Sequence, residues 1–258
     1  MNRGKDSGRA DDQNPEIIQN RISVYNEQTL PVANFYEKQD KLTPQLKEQI
    51  VSADNKARLE DLYLPFKKKR RTKAQIAREA GLEPLADALL ADPTLNPESE
   101  AENYLRPAEG DIPAIEDAKA ALDGAKQILM ERFAEDPELI GQLRERLWQE
   151  GQLSARVLEG KQQEGAKFSD YFEHDEKLAK APSHRALAMF RARNEGVLSL
   201  SIRLPGEDEA PIHPAQLAIA KQFGISDQGR PADKWLAEVV RWTWRVKLYT
   251  ALETELLG

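Results

Sequence analysis

The chain has 258 residues, of which 40% are hydrophobic, 31% are charged and 7% are aromatic. This composition is typical of a folded protein with a densely charged surface. The sequence contains no cysteine, which excludes disulfides, thiolate metal sites and cysteine nucleophiles. The net charge is −7, so any contact with nucleic acid must come from a local basic patch. Because no run of 18 apolar residues and no apolar signal segment is present, we expect a cytoplasmic protein without a membrane span.

The first 41 residues predict two short helices after a polar start, the first of them opened by Asn14 and Pro15. This segment resembles the C-terminal part of adenylate kinases in three strings: Gly8-Arg-Ala-Asp-Asp12, Asn20-Arg-Ile-Ser-Val-Tyr25 and Glu27-Gln-Thr-Leu-Pro31. The resemblance implies that Arg9 and Arg21 contact nucleotide phosphates. The phosphate-binding loop of that family, G-x-x-x-x-G-K-[ST], is absent from the sequence, so we interpret both arginines as solvated or salt-bridged.

The densest positive charge of the chain lies in the basic run, residues 67–73. Six of these seven residues are cationic: Lys67, Lys68, Lys69, Arg70, Arg71 and Lys73. An apolar segment, 59–66, precedes the run, and Thr72 is predicted to cap a helix that ends at Ala80. Because cations beside a helix start favour phosphate, we predict weak contact with a nucleic-acid backbone, RNA or DNA, without sequence readout. A charged face that is merely solvated is equally compatible with the run.

The remaining chain is predicted to be mainly α, an irregular multi-helix bundle with one small β-pair. A core-facing helical stripe predicts a helix over 114–134, and Asp136 with Pro137 predicts the start of the next. Apolar residues alternate with polar ones along 197–204, which predicts a strand. Residues 153–159 are the expected partner, since a lone strand is unstable.

Two C-terminal helices are rich in apolar residues, and we interpret the apolar face of the second as core. The helix opened by Pro214 includes Leu217, Ile219 and Phe223 among its apolar residues. The helix over 232–257 carries three of the four tryptophans. Trp235, Val239, Trp242, Val246 and Tyr249 follow its predicted buried stripe. A partner-binding face formed by the tryptophans is the alternative.

The sequence contains no pattern that predicts catalysis. His174, His184 and His213 do not have the spacing of metal ligands. No G-x-S-x-G or G-x-G-x-x-G motif is present. We therefore expect no enzyme activity, no metal and no cofactor.

Residues 42–258 resemble the N-terminal helical region of the Tex family, bacterial transcription accessory proteins. The strings that carry the resemblance are Leu59-Glu-Asp-Leu-Tyr-Leu-Pro65, Lys69-Arg-Arg-Thr72, Ile76-Ala-Arg-Glu-Ala-Gly-Leu-Glu-Pro-Leu-Ala86, Pro182-Ser-His-Arg-Ala-Leu-Ala188 and Phe223-Gly-Ile-Ser-Asp-Gln-Gly-Arg-Pro-Ala-Asp233. The resemblance implies that family members continue into further domains, ending in an S1 domain that is the main nucleic-acid binder.

The two resemblances together predict a chimera with a junction near residues 37–43. Residues 1–41 would be an adenylate-kinase-like helical segment and residues 42–258 a Tex-like helical scaffold with the small β-pair at 153–159 and 197–204. The expected function is a non-catalytic scaffold that binds nucleic acid weakly or contacts the transcription machinery. The alternative is a remnant of a nucleotide-binding phosphotransferase that uses Arg9 and Arg21.

Overall fold

The computed structural model describes residues 43–53, 56–66 and 71–258. Arg9, Arg21 and the helices predicted before residue 43 lie outside the described residues. The chain divides into two compact units, residues 1–67 and 68–258.

In the first unit, the described residues form helices α1 (Pro44–Ser52) and α2 (Lys56–Tyr63) and the 3-10 turn Leu64–Phe66. Thr43 caps α1, since its hydroxyl accepts a hydrogen bond from the Leu46 N–H at 3.1 Å, and Pro44 follows at the first helical position. Both features match the local signals for a helix start.

The second unit contains nine α-helices and three strands among its described residues. The helices are α3 (Lys73–Glu79), α4 (Glu83–Ala91), α5 (Pro97–Ala101), α6 (Ala118–Ala134), α7 (Pro137–Glu150), α8 (Ser183–Asn194), α9 (Pro214–Gln222), α10 (Asp233–Trp242) and α11 (Tyr249–Leu257). The strands are β1 (Gln152–Val157), β2 (Glu173–Lys177) and β3 (Leu198–Arg203). The predicted mainly α class with a small β part is confirmed. None of the described helices is long and apolar enough to cross a membrane.

The sheet is antiparallel with the order β2-β1-β3. The two predicted strands pair with each other, with Leu153 opposite Ile202. The third strand, β2, was not predicted, because its sequence Glu-His-Asp-Glu-Lys has no apolar alternation to mark a strand. A polar, charged strand is suited to the edge position that β2 occupies.

Helix α6 is the central helix of the second unit and packs against α3, α4 and α5. It begins at Ala118 rather than at the predicted residue 114, since the Asp117 carboxylate accepts the Ala120 N–H at 2.7 Å. Ile115 is buried, as the sequence predicts, but it lies on the extended segment before α6. There it exchanges two backbone hydrogen bonds with Arg106.

The C-terminal helices α10 and α11 are joined by a π-helical segment, Thr243–Leu248. One stripe of buried side chains in this stretch recurs every four residues, and Val239 and Thr243 are buried beside it. The stripe consists of Leu236, Val240, Trp244, Leu248 and Leu252. In a regular α-helix that spacing would rotate the stripe by about 40° per step, and the wider π turn compensates for part of this rotation. The sequence pattern places Val246 in the buried stripe of a regular helix. This prediction is wrong, since the exposed fraction of Val246 is 48%. Of the three tryptophans only Trp244 is fully buried.

Candidate functional site

The basic run ends at the start of α3, where two of its six cations are described. Lys67, Lys68, Lys69 and Arg70 lie outside the described residues. Lys73 and Arg71 are both exposed, so the described end of the run faces solvent.

Arg71 is already bound by other parts of the protein. Its Nε and Nη2 atoms donate to Glu79 Oε2 at 3.0 and 2.7 Å. Nη2 also donates to the backbone oxygen of Asp111 at 2.9 Å. Glu79 compensates much of the positive charge of Arg71, and the guanidinium ties the start of α3 to the loop that contains Asp111.

Lys73 has no ion-pair partner among the described residues. It lies at the edge of a cavity of about 430 Å³ between α3, α6 and the segment before α6, whose lining includes Ile76, Ile115 and Lys126. Lys126 pairs with Asp123 at 3.3 Å, which leaves Lys73 as the cation without a carboxylate at this cavity.

A network around a buried carboxylate fixes α3 on α6. Thr72 caps α3 by accepting the Gln75 N–H at 3.0 Å, and its hydroxyl donates to Glu131 Oε2 at 2.9 Å. Arg78 donates to Glu131 Oε1 at 2.6 Å, and Glu131 is only 7% exposed. Burial alone would lower the pKa of Arg78, but the hydrogen bond and charge of Glu131 outweigh it and raise that pKa. The segment that follows the basic run therefore has a rigid support.

A second candidate surface is a groove between α9 and α10 with a volume of about 730 Å³, which we call the α9/α10 groove. The apolar residues that line it include Ile212, Leu217, Ala220, Ala237 and Val240. Ile212 is 51% exposed and Leu217 is 53% exposed. Leu217 therefore lies outside the core. Helix α9 buries Ala215 and Ile219. Leu217 is two positions from each of them and therefore lies on the opposite side of the helix.

Three cations line the α9/α10 groove: Lys221, Lys234 and Arg241. None of them pairs with a carboxylate among the described residues, and Arg241 only stacks its guanidinium 5.6 Å from the ring of Trp242. Of the carboxylates, Glu238 pairs with Lys126 at 3.2 Å, and Asp227 accepts the backbone N–H of Gly229 at 3.0 Å.

A third carboxylate of this groove, Asp233, organises the loop before α10. It is 3% exposed and accepts the backbone N–H groups of Gln228 and Arg230 at 2.7 and 2.9 Å. The guanidinium of Arg230 lies 3.1 Å from its other oxygen. Burial acts to raise the pKa of Asp233, but these hydrogen bonds outweigh it and hold the pKa below its usual value. Asp233 thus stabilises the loop that forms one wall of the groove.

Two of the histidines, His174 and His213, make local side-chain contacts. His213 Nδ1 accepts the Ala215 N–H at 3.1 Å, which places the proton on Nε2, 2.9 Å from Glu207. His174 Nε2 lies 3.1 Å from Glu176. Within the described ranges, no cluster of three or more histidine, aspartate or glutamate side chains is arranged to hold a metal ion.

Comparison with known proteins gives one family and a set of relatives. The family model described as Tex central region-like matches residues 92–258. The transcriptional accessory protein Tex of Neisseria gonorrhoeae is 51% identical over 229 residues, which are 88% of this chain and 29% of that protein. Protein YhgF of Escherichia coli is 48% identical over 257 residues, which are 98% of this chain and 33% of that protein. The chain thus spans about a third of the length of these curated relatives.

A shorter similarity concerns a different family. An adenylate kinase of Flavobacterium johnsoniae is 51% identical over 41 residues, which are 16% of this chain and 22% of that enzyme. The alignment with YhgF spans 98% of the chain and therefore includes most of residues 1–41. The chimeric junction near residues 37–43 stays a prediction.

Proposed function

The chain belongs to the Tex family, and we propose that it is the helical scaffold of a transcription accessory protein, without catalytic activity of its own. The relative from Neisseria gonorrhoeae carries the name transcriptional accessory protein, which supports this role. The proposal includes a cytoplasmic location, where bacterial transcription takes place, and contact with nucleic acid or the transcription machinery.

We further propose that the basic run contributes weak binding to RNA or DNA without sequence specificity. The observation that carries this proposal is six cations within seven residues. The last of them, Lys73, is the first residue of α3, which Glu131 anchors to α6. Lysine and arginine beside a phosphate backbone release counterions, which provides affinity that depends strongly on salt. On a chain of net charge −7 the remaining surface opposes such binding, so we expect low affinity.

Binding to a fluorescent single-stranded RNA and to a duplex DNA, measured by anisotropy across salt concentrations, tests the basic run. The test variant replaces Lys67, Lys68 and Lys69 by glutamine and leaves Arg71 in its contacts with Glu79 and Asp111. Each lost phosphate contact should reduce the slope of log affinity against log salt by about 0.9 for duplex DNA and about 0.7 for single strands. We expect a total reduction of about two to three for duplex DNA.

The matched control replaces three exposed lysines elsewhere in the chain by glutamine: Lys119, Lys177 and Lys180. This variant has the same net charge as the test variant, so a general electrostatic effect should be equal in both. A salt slope that is unchanged in the test variant, or reduced equally in the control, would reject the basic run as the contact site.

The 41-residue similarity to adenylate kinase favours one second candidate, nucleotide binding through Arg9 and Arg21. Titration calorimetry with ATP tests it, and the double variant Arg9→Ala, Arg21→Ala is its control. Binding that the double variant loses would support this candidate, whereas no heat above dilution would remove it.

A further inference from the structure

The α9/α10 groove exposes aliphatic side chains to solvent. These side chains play no part in the contact proposed for the basic run. Ile212 and Leu217 are both more than half exposed. Large contiguous apolar patches on soluble proteins mark sites of interaction with other molecules. The groove volume of about 730 Å³ is large enough to accept several side chains.

Leu217 extends this apolar surface toward a neighbouring helix. A second cavity of about 560 Å³ lies between α7 and α9, and Leu217 and Lys221 line both cavities. An occupant that crosses Leu217 would contact both cavities. This arrangement favours an elongated occupant over a small compact molecule.

The charge around the groove determines which occupant fits. Lys221, Lys234 and Arg241 have no carboxylate partner among the described residues. In contrast, Glu238 shares Lys126 with Asp123, and Asp233 is paired with Arg230. Asp227 is the remaining negative group of the lining. The lining holds three cations and three carboxylates. With the ion-pair partners Lys126, Arg230 and Asp123 included, five cations face four carboxylates, a small positive excess on a chain of net charge −7. An acidic occupant would gain attraction here that most of the protein surface does not offer.

We propose that the α9/α10 groove binds an acidic amphipathic helix of a partner protein. Such a helix places apolar side chains at i, i+4 and i+7 in a hydrophobic groove, and its glutamates or aspartates would lie against Lys221, Lys234 and Arg241. Single-stranded nucleic acid is the other anionic class, but it depends on aromatic rings for base stacking. The lining of this groove contains no aromatic residue, which favours the helix.

Two synthetic peptides test the proposal on the whole chain by fluorescence anisotropy. Each is a helix-forming peptide of about 18 residues with leucines at i, i+4 and i+7. One peptide carries glutamates at the remaining charged positions and the other carries lysines. We expect the acidic peptide to bind at least about tenfold more tightly than the basic one. No binding of the acidic peptide, or equal binding of both peptides, would overturn the proposal.

Variants then assign the binding to the groove. Leu217→Asp should weaken binding of the acidic peptide by at least about tenfold, since it removes an apolar anchor. Leu187→Asp, at a leucine of α8 that is 67% exposed and does not line the groove, should leave binding unchanged. Equal loss in both variants would mean that the groove is not the site.

A charge reversal completes the test without changing the apolar wall. Lys221→Glu combined with Arg241→Glu should weaken the acidic peptide about tenfold and strengthen the basic one. Unaltered preference between the two peptides would contradict the assigned role of these cations. If a single-stranded RNA displaces the acidic peptide and the charge reversal abolishes the RNA binding, the groove is a nucleic-acid surface and the proposal is wrong.

Discussion

Two regions of the second unit differ in how their cations are compensated. One is the network that joins α3 to α6, and the other is the α9/α10 groove. At α3, Arg71 binds Glu79 and Arg78 binds Glu131. At the groove, Lys221 and Arg241 have no carboxylate partner among the described residues. A cation whose partner is provided by the fold stabilises that fold, whereas a cation without one remains available to a ligand.

Burial shows the same contrast. The network buries a carboxylate, since Glu131 is 7% exposed, and the groove exposes a leucine, since Leu217 is 53% exposed. Buried charges and exposed apolar patches are both departures from the usual distribution of residues. The first is explained by Thr72 and Arg78, which satisfy both oxygens of Glu131. The second has no such explanation within the second unit, which is the reason to assign it a binding role.

The largest expected effect is at Glu131. Replacement by alanine leaves the Thr72 hydroxyl without its acceptor and removes the shorter ion pair of the half-buried Arg78, which keeps only the 3.5 Å contact with Glu83. Breaking one partner of a buried ion pair costs about 3 kcal/mol in the free energy of unfolding. Urea denaturation followed by circular dichroism measures this loss.

The matched variant for this position is Glu131→Gln. The amide keeps the shape and can accept one hydrogen bond, but it has no charge for Arg78, so we expect a loss between that of alanine and the wild type. Wild-type stability in Glu131→Ala would show that the network does not support α3.

A smaller effect, visible mainly in its pH dependence, is expected for Asp233→Asn. Because the folded pKa of Asp233 is depressed below its ordinary value of 3.8, its contribution to stability is complete above that pH. The contribution is lost as pH falls through the folded pKa. The difference in stability between wild type and Asp233→Asn should therefore be largest near neutral pH and shrink in acid. Thermal unfolding at several pH values measures it, and a difference that does not vary with pH would contradict the assigned charge state.

The smallest effect is expected for the cations of the groove. Arg241→Gln should change the free energy of unfolding by less than about 0.5 kcal/mol, because Arg241 has no carboxylate to lose. Arg78→Gln provides the comparison at a paired arginine and should destabilise clearly more. If both variants lose the same free energy of unfolding, the distinction between cations paired within the fold and cations available to a ligand is wrong.

Local signals in the sequence predicted local structure well. Thr72 and Asp136 cap helices as expected, because a cap depends on residues within one helical turn. The pairing of β1 with β3 was also predictable, since the alternation in β3 required a partner strand. The polar strand β2 and the π-helical segment 243–248 were not, because each depends on the neighbour against which it packs.

The sequence by itself therefore determined the helix starts at Thr72 and Asp136, the mainly α class and, through its long matching strings, the resemblance to the Tex family. Only the tertiary structure decided which charges are paired and which apolar residues are exposed. Arg71 finds Glu79 eight positions away and the Asp111 carbonyl forty positions away. Leu217 is exposed because Ala215 and Ile219, on the other side of the same helix, are the residues that enter the core. Both outcomes depend on contacts between distant parts of the chain, which hydrophobic periodicity does not encode.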